Sequence, residues 1–226
     1  MTFAEETRAK WDRWCERIGF DLLDLAVCTH IYKELIAIIL GNPFLVGTGS
    51  VYWLFLNLTY THYALAAIRR QLKDGDDEVS LARLLRQVAE NPTLLTREWF
   101  VGEPPEEIRA LVEASANSFF DQFAGDGNSI VAPAVVRSDL QQMQAALAAL
   151  EVAADRTVAH LDRRGALERP QPQDIHEAVD VVLNMYQRYR TLTCRGPWEF
   201  NIPQSVGDDW RELFKVPWIV ARSVGE

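Results

Sequence analysis

Arg156, His160 and Arg164 recur at intervals of four in the stretch Ala154-Asp-Arg-Thr-Val-Ala-His-Leu-Asp-Arg-Arg-Gly165, which closes a long alanine-rich run. On a helix, residues four apart lie about one turn apart on one face. A guanidinium beside an imidazole suits two tasks: stabilising the charge that develops on a phosphorane, and moving a proton. The same residues have a plainer use. Cations in the last turn of a helix complement its dipole. Both uses are open at this point. Arg163 and Arg169 add to the basic cluster, while Asp155, Asp162 and Glu168 offset it.

Other site chemistries find little support. A di-iron bundle needs Glu-x-x-His on two helices. The residues three before His30, His62, His160 and His176 are Val27, Thr59, Thr157 and Gln173, none of them acidic. The chain has no His-Glu-x-x-His, no calcium loop, no glycine-rich phosphate loop and no Gly-x-Ser-x-Gly elbow. No metal and no cofactor is therefore expected. His30 and His62 sit in strongly apolar runs and are expected to be hydrogen-bonded core residues.

These residues must be held by a scaffold, and the composition bounds it. The 226 residues are 48% hydrophobic, with seven Trp, six Tyr and ten Phe. That is ample for one large core. The net charge of −9 is concentrated. Leu72–Asp126 holds 5 basic and 12 acidic residues, leaving 18 and 20 for the rest. A general nucleic-acid coat protein needs a basic face, which this total does not offer, but a small basic site is compatible with it. Cys15, Cys28 and Cys194 are odd in number, lack metal-like spacing, and read as reduced thiols of a cytoplasmic protein. The polar, acidic start shows no secretory signal. Val51–Ile68 contains no Lys, Arg, Asp or Glu. Asn57, Thr59, Thr61, His62 and three tyrosines make it too polar for lipid, so a buried central helix is expected and no membrane partner. Its aromatic residues Tyr52, Trp53, Phe55, Tyr60 and Tyr63 cover all sides of that helix, which fits a core.

The pattern is helical almost throughout. Thr2 and Glu5 make a capping box for a helix that Gly41-Asn-Pro43 stops and that Gly19 could bend. A second helix, capped by Ser50, runs to about Lys73. A short one follows Ser80, and another covers Leu94–Phe100. Pro104-Pro105 opens the next, to about Phe123. A long helix spans about Pro133 to Arg164. Asp174 with Glu177 opens one that ends near Cys194. Strand signals are almost absent. The expected fold is all-α, an up-and-down bundle of about five to seven helices over residues 1–195. A tail over 196–226, carrying Trp198, Trp210 and Trp218, is expected to pack on it.

Two segments resemble a known family. Ala154-Asp-Arg-Thr-Val-Ala-His-Leu-Asp162 is similar to the Arg-Asp-Lys-x-x-Ala-His-x-Asp segment of AbiU-like abortive-infection proteins, a branch of the HEPN superfamily of helical-bundle ribonucleases and RNA-binding modules. "AIRRQLKDGDDEVSLARLL", within Leu65–Leu85, is similar to a second segment of that branch. The order of helices agrees, with the histidine ending the penultimate long one. The resemblance covers roughly residues 10–195. It implies a HEPN-like fold, a homodimer with two sites meeting in a cleft, and metal-independent RNA cleavage in which a 2′-hydroxyl attacks the adjacent phosphate. His160 would then be the general acid and base, Arg156 would stabilise the phosphate, and Asp155 or Asp162 would orient them. Arg163, Arg164 and Asp162 would contact RNA. A cognate antitoxin or another defence protein would be a further partner. The sequence departs from the family at one important place. The usual arginine position falls on Ala154, and Arg156 stands where the branch often has lysine. Either Arg156 has taken over the role, giving an endoribonuclease, or the chain is a non-catalytic module that binds RNA or protein.

Overall fold

Thr2 and Glu5 form the expected capping box. The Glu5 N–H donates to the Thr2 hydroxyl (3.3 Å) and the Thr2 N–H donates to the Glu5 carboxylate (2.7 Å). Helix α1 then runs over Phe3–Leu40 without a break at Gly19, which is buried. Its inward seam is Trp11, Cys15, Ile18, Leu22, Leu25, Thr29 and Tyr32, a strict alternation of four and three residues. That spacing keeps one narrow face against its neighbours along the whole seam. The computed structural model of this chain describes residues 2–46, 51–156, 170–196, 207 and 209–215.

The elements that follow are α2 (Pro43–Val46), α3 (Val51–Leu72), α4 (Leu81–Glu90), α5 (Arg97–Val101), α6 (Arg109–Ala124), α7 (Pro133–Ala154), α8 (Pro172–Cys194) and a short α9 (Asp209–Glu212). The fold is an all-α helical bundle. Among the described residues no strand forms, and a lone bridge joins Thr96 to Ile130. Helices α1, α3, α7 and α8 make the centre, and α4 lies on α7. α1 is antiparallel to α8, since Cys15 meets Thr193 (3.3 Å) near one end and Tyr32 meets His176 near the other. It is also antiparallel to α3, with Asp21 against Gln71 and Tyr32 against Tyr60.

Buried polar groups tie the helices together. The Gln71 amide N–H donates to Asp21 (2.7 Å) and its oxygen accepts from the Leu81 N–H (3.1 Å), so one side chain joins α1, α3 and α4. Asp139 on α7 is buried. It accepts from the Tyr189 hydroxyl (2.7 Å) and pairs with Arg188 (2.8 Å), both on α8. Arg97 pairs with Asp121 (2.6 Å) and donates to the Asn128 carbonyl (2.8 Å), which fixes the loop after α6. Gly102 has a φ of 63°, and a Cβ there would lie 1.7 Å from the Arg195 guanidinium. Only glycine allows that approach.

Several expectations are corrected. α8 starts at Pro172 and its capping box is Gln171 with Asp174, not Asp174 with Glu177. Proline at the first helical position needs no N–H partner, which moves the start upstream. α6 is preceded by a single tighter turn at Glu106–Ile108, so its regular helix begins at Arg109. The main correction concerns α3. It is buried from Tyr60 onward, but Val51, Tyr52, Leu54 and Phe55 are exposed. The first half is covered on one side, where Asn57 accepts from Tyr32 of α1 and Trp53 lies near Ile36 and Pro172, and is exposed on the other. His62 is exposed and His30 half-buried, so neither is a core residue. The Ser50 cap, the tail tryptophans Trp198 and Trp218, and the helix beyond Arg156 lie outside the described residues.

Candidate functional site

Ala154 is fully buried, so the position that the resemblance would give to an arginine faces the core. A guanidinium there would have to be desolvated. The helix widens into a π-type turn at Asp155–Arg156 immediately after it, and the Asp155 N–H is shared between the Glu151 and Val152 carbonyls. Such turns are frequent where a helix must present side chains differently from a regular α-helix. Asp155 and Arg156 are both half-buried.

The Asp155 carboxylate is engaged by Arg69, in the last turn of α3. The ends of α3 and α7 therefore converge. The carboxylate holds the Arg69 guanidinium at the end of α7. Arg70, the next residue, turns the other way and pairs with Asp21 on α1. His160, Asp162, Arg163 and Arg164 lie outside the described residues. Sequence reasoning passed over Arg69 as a site residue. Its segment was one of the two carrying the resemblance, but a partner 86 positions away in the chain has no local signal.

A second cluster sits between α1, α3 and α8. The rings of Tyr32 and Tyr60 stack at 3.9 Å between centroids, and His176 packs its imidazole against both. Tyr32 donates to Asn57 and Tyr60 to Thr29 (3.3 Å). Burial pushes the Tyr60 phenol up to about 12. The His176 Nε2 is buried and, among the described residues, has no hydrogen-bond partner. Beside it is a mostly apolar hollow of about 270 Å³ lined by Tyr32, Ile36, Trp53 and Pro172. A wider hollow of about 800 Å³ between α7 and α8 is lined mainly by Ala146, Leu150, Ala153, Ala178 and Val181. The smaller hollow also includes Lys33 and His176, and the wider one Asp174 and Glu177. Among the described residues, no three His, Cys, Asp or Glu side chains are grouped to hold a metal ion, and no described helix is long and apolar enough to cross a membrane.

The His176 environment has a consequence for stability. Burial, with Lys33 adding to it and Asp180 opposing, holds its imidazole below the usual 6.5. The unfolded chain takes up that proton near pH 6.5, and the folded chain resists it. The contribution is therefore complete above about pH 6.5 and is lost as the pH falls toward the lowered folded value. Urea unfolding between about pH 7 and pH 5 is expected to show a steeper loss of stability in wild type than in His176→Gln. Equal slopes would mean that His176 does not contribute.

No protein-family model matches this chain, and no curated protein or solved structure is similar to it.

Proposed function

We propose that this chain is a HEPN-like, metal-independent endoribonuclease of a phage-defence or toxin–antitoxin type. The observation that carries the reading is the ion pair between Arg69 and Asp155. It joins the two segments on which the family resemblance rests and brings Arg69 to the end of α7, where Arg156 and His160 follow in the chain. Two guanidiniums there replace the single arginine that the family places at the position of Ala154. His160 takes the proton of a ribose 2′-hydroxyl as that oxygen attacks the adjacent phosphorus. It then returns a proton to the departing 5′-oxygen. Arg156 stabilises the charge on the phosphoryl oxygens, and Asp155 positions Arg69. Arg163, Arg164 and Asp162 contact the RNA on either side of the cut bond. The products are a 2′,3′-cyclic phosphate and a 5′-hydroxyl. Partners under this reading are RNA, a second copy of the chain and a cognate antitoxin or defence protein. A cytoplasmic location belongs to the same reading.

One observation favours a second reading, a non-catalytic module that binds RNA or a protein. Ala154 is in the core, so the position that the resemblance gives to an arginine presents no guanidinium. The test is cleavage of labelled total RNA in EDTA by wild type and Arg156→Ala. Removing a group that stabilises transition-state charge is expected to cost about 10²–10³-fold in rate. RNA bound but left uncut by folded wild type would support the second reading.

A further inference from the structure

Two of the three cysteines meet where α1 packs on the end of α8. Cys15 lies in the inward seam of α1 and is buried, and Cys194 is the last residue of α8 and is half-buried. Thr193 bridges them. Its hydroxyl donates to the Tyr189 carbonyl (2.9 Å), and its oxygen contacts both the Cys15 sulfur (3.3 Å) and the Cys194 sulfur (3.7 Å). The Tyr186 hydroxyl donates to the Cys15 carbonyl (2.7 Å), so two side chains of α8 fix Cys15 against that helix. The two thiols also hydrogen-bond to each other. That contact holds the Cys15 thiol below its usual range and, with burial, pushes the Cys194 thiol up. Such a pair titrates as a unit, and neither sulfur owns the first thiolate outright. Cys28 has no part in it. It is exposed and about four turns further along α1, roughly 20 Å from Cys15 at about 1.5 Å per residue.

We infer that Cys15 and Cys194 are a redox pair, which a small disulfide of the glutathione type converts into a bond stapling α1 to the end of α8. The half-buried Cys194 meets the oxidant first. Its thiolate attacks one sulfur of the external disulfide, a mixed disulfide forms, and one external thiolate leaves. The Cys15 thiolate then attacks the Cys194 sulfur, and the second external thiolate leaves. The cysteines have together given up two protons and two electrons, and the oxidant has become two thiols. Packing alone explains Cys15, since a free cysteine behaves as a small buried hydrophobe. It does not explain a second thiol set against it from the facing helix. A metal fits the two sulfurs less well, because among the described residues no third His, Cys, Asp or Glu joins them. In a reducing compartment such a bond forms transiently and senses oxidation. The inference does not depend on RNA cleavage.

The test is the intact mass of the full chain after exposure to oxidised glutathione at about pH 8. The variant Cys28→Ser removes the exposed bystander thiol, and the same chain in urea shows that the oxidant is active. The folded Cys28→Ser chain is expected to lose about 2 Da as the pair closes, and digestion is expected to yield the Cys15 and Cys194 peptides linked, as it should from wild type. Because most of the chain lies inside the loop so closed, the melting temperature is expected to rise by about 10 °C and to fall back with dithiothreitol. Adding Cys15→Ser should stop the reaction at glutathione held on Cys194. Four results would overturn the inference: a folded Cys28→Ser chain that keeps both thiols, one that stops at the mixed disulfide, one that closes the bond only in urea, or a disulfide that joins two chains.

Discussion

His160→Ala is expected to slow RNA cleavage by about 10²–10⁴-fold, the range for loss of a positioned general acid or base. The rate of cutting of labelled RNA, at matched concentrations of folded protein, measures it. The size of the effect separates the two uses of a histidine at this place in the chain. An imidazolium that only complements a helix dipole contributes about 0.3–1 kcal/mol of stability, up to ~2 kcal/mol in favourable sites, and nothing to a chemical step. Its replacement would lower the melting temperature slightly and leave cleavage intact. A catalytic imidazole gives the reverse, with a near-native melt and cleavage almost lost. It would also make the rate depend on pH near the imidazole range, a dependence that disappears in the variant.

The largest effect on stability is expected at Trp11. Its side chain has no exposure and lies in the inward seam of α1 with Cys15, Ile18 and Leu22. Trp11→Ala removes the largest side chain of that seam and leaves a cavity that the neighbouring helices can only partly close. A loss of about 3–5 kcal/mol is expected, against a total of about 5–15 kcal/mol for a typical domain. The buried indole N–H has no partner among the described residues, so no hydrogen bond to them is lost with it. Trp11→Phe therefore isolates the packing part. It should cost distinctly less than the alanine, because it keeps a ring and removes an unsatisfied donor. Urea midpoints read both, with an unchanged slope showing that the transition itself is the same. A Trp11→Ala protein as stable as wild type would mean that this seam does not anchor α1.

Local signals in the sequence were read correctly where local chemistry decides. Thr2 and Glu5 cap α1 because both side chains reach backbone groups within one turn. The inward seam of α1 is the strict one from Trp11 to Tyr32, and Phe3 and Ile38 near its ends are exposed. At α8 the box expected from the sequence, Asp174 with Glu177, gives way to Gln171 with Asp174, with Pro172 at the first helical position. The first half of α3 was misread for a different reason. Its residues look like a core in composition, but burial depends on which neighbours reach that far. Composition does not tell a helix covered all round from one covered on one side only. The pairing of Arg69 with Asp155 was illegible for the same reason, since only the packing of α3 on α7 brings them together.

The most direct test of the central claim is the chemistry of the cut ends. Wild type is incubated in EDTA with a labelled RNA pool and, in parallel, with any RNA it cuts resynthesised with a 2′-deoxyribose at the cut position. Attack by the 2′-hydroxyl gives 2′,3′-cyclic phosphate ends in EDTA and no cutting of the deoxy substrate. Cleavage that needs a divalent metal, or that proceeds at the same rate without the 2′-hydroxyl, would contradict it.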